Sequence, residues 1–179
     1  MVNFFSVLLS LSPFIILCIF LVIINKKEKK EKEERKKTQA LTLILKARTG
    51  TVQDQQRLVE YYQKQTVYGG LDQTDASVLY YWLWVLSYNG NKEASTSINC
   101  LISEYCSDMD EIHDPALKQI YAQILEKIYK AEISAYEDRK RGEKWFFVKG
   151  EDVDIEENHS RIKKAFHKLQ SLMDVEIRS

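Results

Sequence analysis

Three histidines, three cysteines and a group of carboxylates carry most of the chemistry open to this 179-residue chain. His113, His159 and His167 are scattered, and the last two are eight residues apart. Two ligands on adjoining helical turns need a spacing of three or four. Cys100 and Cys106 are six apart, neither a C-x-x-C nor a zinc pair. They read as reduced, inert thiols on helix faces. Cys18 sits in an apolar run without the small residues of a lipid-attachment box before it. Asp108, Asp110, Glu111 and Asp114 cluster, but lack the glycine and terminal glutamate of an EF-hand loop. They read as a solvated connector. Glu151, Asp152, Asp154, Glu156 and Glu157 stand where a helix begins, where its dipole favours negative charge. No G-x-S-x-G, P-loop or G-x-G-x-x-G occurs. The expectation is therefore a non-enzyme, with no catalytic, cofactor-binding or metal-binding residues and no cofactor.

Composition narrows the class. Lys+Arg and Asp+Glu are 26 each, so formal net charge is zero, which excludes a globally basic nucleic-acid binder. Six Gly and two Pro argue against a turn-rich β-sandwich. Three Cys make no disulfide scaffold. Eight of the basic and four of the acidic residues fall within 26–37. The remainder, 38–179, is mildly acidic at net −4, a poor surface for phosphate backbones.

The first 24 residues contain no charged side chain, and Phe14–Ile24 is apolar without a break. Val2–Asn25 is about 36 Å long as a helix, enough for a ~30 Å hydrocarbon core. The expectation is an uncleaved single-pass anchor, since the basic residues follow the apolar run instead of preceding it. Lys26, Lys27, Lys29 and Lys30 then act as the topology signal. They put the N-terminus outside and the soluble domain in the cytoplasm, at the inner membrane. Glu28–Lys32 and Glu31–Arg35 are i,i+4 pairs of a helical neck.

The rest reads as helix. Thr38–Arg48 is closed by Gly50, and Gln53–Gln65 ends near Tyr68-Gly69-Gly70. Ala76–Ser87 ends at Asn89-Gly90, and Lys92–Tyr105 precedes the acidic connector Ser107–Asp114. Asp114-Pro115 opens a helix with Leu117, Ile120, Tyr121, Ile124, Ile128, Ala131 and Ala135 on its buried face. Lys144–Lys149 (KWFFVK) is either an extended edge segment or a plug against the helices. Ile155–Ile177 is a last amphipathic helix. The fold class is all-α: an N-terminal single transmembrane helix followed by a small helical-repeat domain of α-α hairpins. The boundaries are 1–25 anchor, 26–37 charged neck, 38–143 helical-repeat domain, and 144–179 apolar segment and C-terminal helix.

A period of about 40 residues aligns Gly50 with Gly90, Leu58 with Ile98 and Tyr62 with Ile102. Asp75 and Trp82 lead to Gly90, eight residues after the tryptophan. Over about residues 50–130 this series resembles the Sel-one-like repeat, a relative of the tetratricopeptide repeat. It departs from that pattern at Asp54, Leu79, Leu86 and Ser87, where small residues are usual. The second unit also has the acidic connector in place of a glycine-rich turn. The resemblance implies stacked helical pairs with a concave side that receives a peptide or another helix.

The functional expectation is a membrane-anchored adaptor or scaffold presenting this domain to the cytoplasm, of the kind found in bacterial envelope or secretion assemblies. The alternative is a structural subunit of a membrane complex held through its anchor and C-terminal helices. Partners would be other proteins, themselves membrane-associated, with no nucleic acid; the chain would touch the membrane through Val2–Asn25 and could oligomerise. Tyr80, Tyr81, Trp82 and Trp84 cannot all face one side of a helix. Tyr81 and Trp84, with Tyr68, are the expected contact residues.

Overall fold

The computed structural model describes residues 4–69, 73–147 and, beyond these, 156, 157, 159, 160, 163, 164 and 167. Side chains are described from Phe20, except at 66–74, 106 and 108–110. Five helices carry the described chain: α1 (Phe4–Thr49), α2 (Val52–Gly69), α3 (Gln73–Tyr88), α4 (Lys92–Glu111) and α5 (Pro115–Lys140). There is no strand among the described residues. The chain divides into two compact units, Met1–Thr42 and Leu43–Ser179.

In the first unit α1 runs through the charged neck without a break. Thr38 and Thr42 donate their hydroxyls to the carbonyls of Glu34 and Thr38, at 2.9 and 2.8 Å, so these β-branched residues sit in the helix with their polar atoms satisfied. Lys26, Lys27, Lys29 and Lys30 are exposed along it. Among the described residues no helix is long and apolar enough to cross a membrane. This corrects the expected single-pass anchor. Residues 1–3 and the side chains of 4–19 lie outside the described residues. The described apolar side chains there are Phe20, Leu21, Val22, Ile23 and Ile24, all exposed. Asn25 and the charged run follow them at once. The inner-membrane placement, the membrane contact through Val2–Asn25, and the anchored adaptor or anchored subunit fall with it.

The second unit is built around α3. Trp82 to Asn89 are eight consecutive buried positions. At 100° per residue they sweep the whole circumference, so the helix must be covered on every side. It packs against α2, α4 and α5. The connections on either side of α4 are three residues each, Asn89–Asn91 and Ile112–Asp114, which returns each helix alongside its predecessor. At the start of α2 the Thr51 backbone N–H and hydroxyl donate to Asp54 Oδ2 at 3.0 and 3.1 Å, so the carboxylate satisfies an N–H at the helix end. The Thr51 N–H holds the Asp54 carboxyl below its ordinary range. α3 and α5 end alike. Gly90 (φ +83°) and Gly142 (φ +71°) take the left-handed conformation. The N–H groups of Asn91 and Glu143 reach back to the carbonyls of Leu86 and Asp138 at 3.0 and 3.1 Å, the hydrogen bond that closes a Schellman motif.

Two expectations shift. The acidic stretch after Tyr105 is helix as far as Glu111, not a connector from Ser107. No Gly or Pro interrupts 92–114, and the break comes where Pro115 disfavours helix in the residue before it. On α5 the buried stripe is Ala122, Leu125, Ile128, Ala131, Glu132 and Ala135, while Leu117 and Ile120 are 40% and 51% exposed. The start of α5 is as read from sequence. Asp114 is extended (φ −83°, ψ 114°), and its carboxylate accepts the Ala116 N–H at 2.9 Å. Asp114→Ala is expected to lower the stability of the second unit by about 1 kcal/mol, measured as a lower urea midpoint at unchanged slope. Within Lys144–Lys149, Trp145 and Phe146 pack against the helices, with Phe146 buried; Val148 and Lys149 lie outside the described residues. Of Ile155–Ile177, the described positions 156, 157, 159, 160, 163, 164 and 167 are helical.

Candidate functional site

A groove of about 280 Å³ opens between α2 and the start of α4, over α3. On α2 its lining residues are Gln56, Val59, Glu60 and Gln63, spaced 3, 1 and 3, so they form one face of the helix. Leu83 and Leu86 of α3, both buried, form its floor. Ala94 and Glu93 belong to the first turn of α4, where Asn91 Oδ1 accepts the Ala94 N–H at 2.9 Å. The groove has buried apolar side chains at its base (Val59, Leu83, Leu86, Ala94), neutral polar ones around them (Gln56, Gln63, Asn91, Ser97), and a carboxylate on each wall, Glu60 from α2 and Glu93 from α4. The α3–α4 approach beside it is tight, since the hydroxyls of Ser87 and Ser95 are 2.7 Å apart.

Two polar junctions brace the helices away from the groove. In the first, Gln55, wholly buried on the same side of α2 as Leu58 and Tyr62, donates through Nε2 to the Trp145 carbonyl at 2.6 Å. Its Oε1 accepts from Asn89 Nδ2 at 3.0 Å. The Trp145 indole N–H donates to the Tyr81 hydroxyl at 2.9 Å, and that hydroxyl donates to Asp138 at 2.5 Å. The Arg48 guanidinium covers the Trp145 ring at 4.3 Å. Burial and the Asp138 carboxylate push the Tyr81 phenol well above its ordinary range, so it acts as a neutral donor. In the second, Glu132 is fully buried on α5 and accepts the Tyr88 hydroxyl of α3 and a hydrogen bond at His159 Nδ1. Burial first, and Glu132 second, raise the Tyr88 phenol far above its usual value.

Of the residues expected to meet a partner, Trp84 is 3% exposed and lies against Tyr88, with ring centroids 5.6 Å apart and planes tilted by 32°. Tyr81 is half-buried at the first junction. The Tyr68 side chain lies outside the described residues. Neither Tyr81 nor Trp84 lines the groove. Cys100 is exposed as a free thiol, and Cys106 lies outside the described side chains. His113 and His167 are exposed, and His159 joins a buried network.

The residues that sequence reasoning passed over are the polar members of apolar stripes. Gln55 falls three before Leu58 and seven before Tyr62, and Glu132 falls four after Ile128 and three before Ala135. A polar side chain at a buried periodic position must find a partner, and that spacing was the signal available. Glu60 and Glu93 carry no such mark, because only the way α2 and α4 each pack on α3 makes them face one groove. Comparison with protein-family models, curated proteins and solved structures finds no match for this chain.

Proposed function

We propose that the second unit is a small helical-repeat binding module. Its α2–α4 groove holds a segment of a partner protein that combines an apolar side chain with a lysine or arginine. The observation that carries this is the groove itself, with an apolar floor and one glutamate on each wall. α2 and α4 are the first helices of two successive hairpins, α2/α3 and α4/α5. In the Sel-one-like arrangement that residues 50–130 resemble, such helices line the concave side. An apolar anchor gives the segment affinity, and the two carboxylates select its charge and fix its register. Opposite charge is favoured between the two walls and like charge is penalised.

The test is selection of a random peptide library on the full chain, followed by fluorescence anisotropy with the selected sequences. Binders are expected to carry a lysine or arginine beside an apolar residue. Glu60→Lys and Glu93→Lys should each weaken them by roughly tenfold, with circular dichroism unchanged. Selected peptides that lack basic residues, or that bind both variants as tightly as the parent, would sink the reading.

A further inference from the structure

Of the six asparagines, Asn89 alone precedes a glycine. A glycine puts no side chain in the way of its own backbone nitrogen, which is the nucleophile nearest the asparagine amide. In a free chain such a pair cyclises and loses ammonia. Here both reacting groups are tied down, just past the end of α3. Asn89 is 8% exposed, and its Nδ2 donates to Gln55 Oε1 at 3.0 Å and to the Trp145 carbonyl at 3.3 Å. The Gly90 N–H donates to the Ser87 carbonyl at 2.9 Å. Attack must break these bonds and swing the Asn89 side chain toward the Gly90 nitrogen.

The strap that follows α5 makes the tie. The chain turns at Gly142. Trp145 then sets its carbonyl on Gln55 and Asn89 and its indole N–H on the Tyr81 hydroxyl, with the Arg48 guanidinium over the ring. Phe146 beside it is buried. The N–H groups of Glu143 and Phe146 bond to the carbonyls of Asp138 and Glu143, which keeps them within the turn. Side chains and the Trp145 carbonyl therefore fasten the strap to α2 and α3. A short segment held in this way opens at lower free energy than the helices beneath it.

We propose that Asn89 is a self-modification site guarded by the Trp145 strap: with the strap open the asparagine deamidates, and the product bars the strap from closing again. The Gly90 nitrogen attacks Asn89 Cγ. The N–Cγ bond forms, the Cγ–Nδ2 bond breaks, and Nδ2 leaves as ammonia with the Gly90 proton. Water then opens the cyclic imide at either carbonyl, so that amide and water become carboxylate and ammonium. Opening at Cγ gives aspartate. Opening at the main-chain carbonyl gives isoaspartate, with an extra methylene in the backbone. Both products lack the Nδ2 donor. Asn89 Oδ1 is buried and meets no donor among the described residues. A carboxylate there would face two further acceptors, Gln55 Oε1 and the Trp145 carbonyl, and a buried charge without donors is strongly disfavoured. Isoaspartate also lengthens the turn that the bond from the Asn91 N–H to the Leu86 carbonyl closes.

The experiment follows conversion at residue 89 by peptide mass spectrometry, on the full chain in mildly alkaline buffer. The same chain unfolded in urea is the reference. The folded parent is expected to convert at least roughly tenfold more slowly than the unfolded chain. Trp145→Ala removes the indole bond and the Arg48 contact, and should quicken conversion in the folded chain roughly tenfold. Asn91, which precedes a lysine, should stay unconverted throughout. Equal rates in folded and unfolded parent, or in Trp145→Ala and parent, would overturn the guard. Should Trp145→Ala not fold, urea below the main transition decides. Conversion must rise before the helical circular dichroism falls, and a rise that only accompanies global unfolding overturns the guard. Asn89→Asp carries the product side chain. Amide exchange at Phe146 should be roughly tenfold faster in it than in the parent, with α5 unchanged, and equal protection would mean that the product does not hold the strap open. Converted parent, separated by ion exchange, serves for the same reading if that variant does not fold.

Discussion

Replacing Glu132 by alanine is expected to destabilise the second unit by about 3 kcal/mol or more. The carboxylate is fully buried and is the acceptor for the Tyr88 hydroxyl, itself inside the core on α3. Alanine removes the acceptor and leaves that hydroxyl without water or partner, which alone costs about 1–3 kcal/mol. It also leaves a void between α3 and α5, lined on α5 by Ile128, Ala131 and Ala135, and any relaxation is resisted by their close packing. Burial and the adjacent carboxylate keep the Tyr88 phenol neutral far above ordinary pH, so no ionisation of the tyrosine relieves the loss. Glu132→Gln retains an amide oxygen to accept from Tyr88 and should lose less. The measurement is a urea titration followed by far-ultraviolet circular dichroism, and the expected order of midpoints is parent, glutamine, alanine. An alanine midpoint within about 0.5 kcal/mol of the parent would mean that the α3–α5 junction is not the brace described.

Trp82→Ala is expected to cost about 3–5 kcal/mol. The indole is 3% exposed and meets Tyr81 edge to face, at 5.5 Å and 88°. Trp82 opens the eight-residue buried run of the helix that α2, α4 and α5 all pack on. A cavity there has walls on more than one side, and no single helix can close it by shifting. Total stabilities of domains this size are about 5–15 kcal/mol, so the variant should lose a large part of its cooperative transition. Leu117→Ala on α5 is the internal standard. That side chain is 40% exposed, and its loss should change stability by under about 0.5 kcal/mol. If the two variants melt alike, α3 is not the centre of the unit.

Both predictions concern residues that the sequence marks unequally. Trp82 stands in a dense aromatic and aliphatic stretch, and its burial follows from composition. Glu132 looks like any surface glutamate until the stripe Leu125, Ile128, Ala131, Ala135 is drawn and it falls on it. The same stripe, drawn through Leu117 and Ile120 instead, places the first turns of α5 in a core they do not enter. Periodicity identifies a face but not its rotation: two faces some 40–60° apart fit apolar residues spaced by three and four about equally. Which one is buried depends on where α3 and α4 lie.

The sequence by itself determined the all-helical character of the described residues and several helix ends. These are set by local chemistry: the Asp114 cap with proline behind it and the left-handed glycine at 90. Each acts within four or five residues and needs no partner helix. The apolar run at the N-terminus read as an anchor, whereas no described helix has the length and apolarity for one. Tertiary structure alone decided the rest. It set Glu60 and Glu93 on opposite walls of one groove, brought Tyr88 onto Glu132 across 44 residues, and placed His159 against a carboxylate 27 residues earlier. Those meetings join residues from different helices. Side-chain periodicity within one helix carries no information about which neighbour it will face, because that is fixed by how the helices pack around α3.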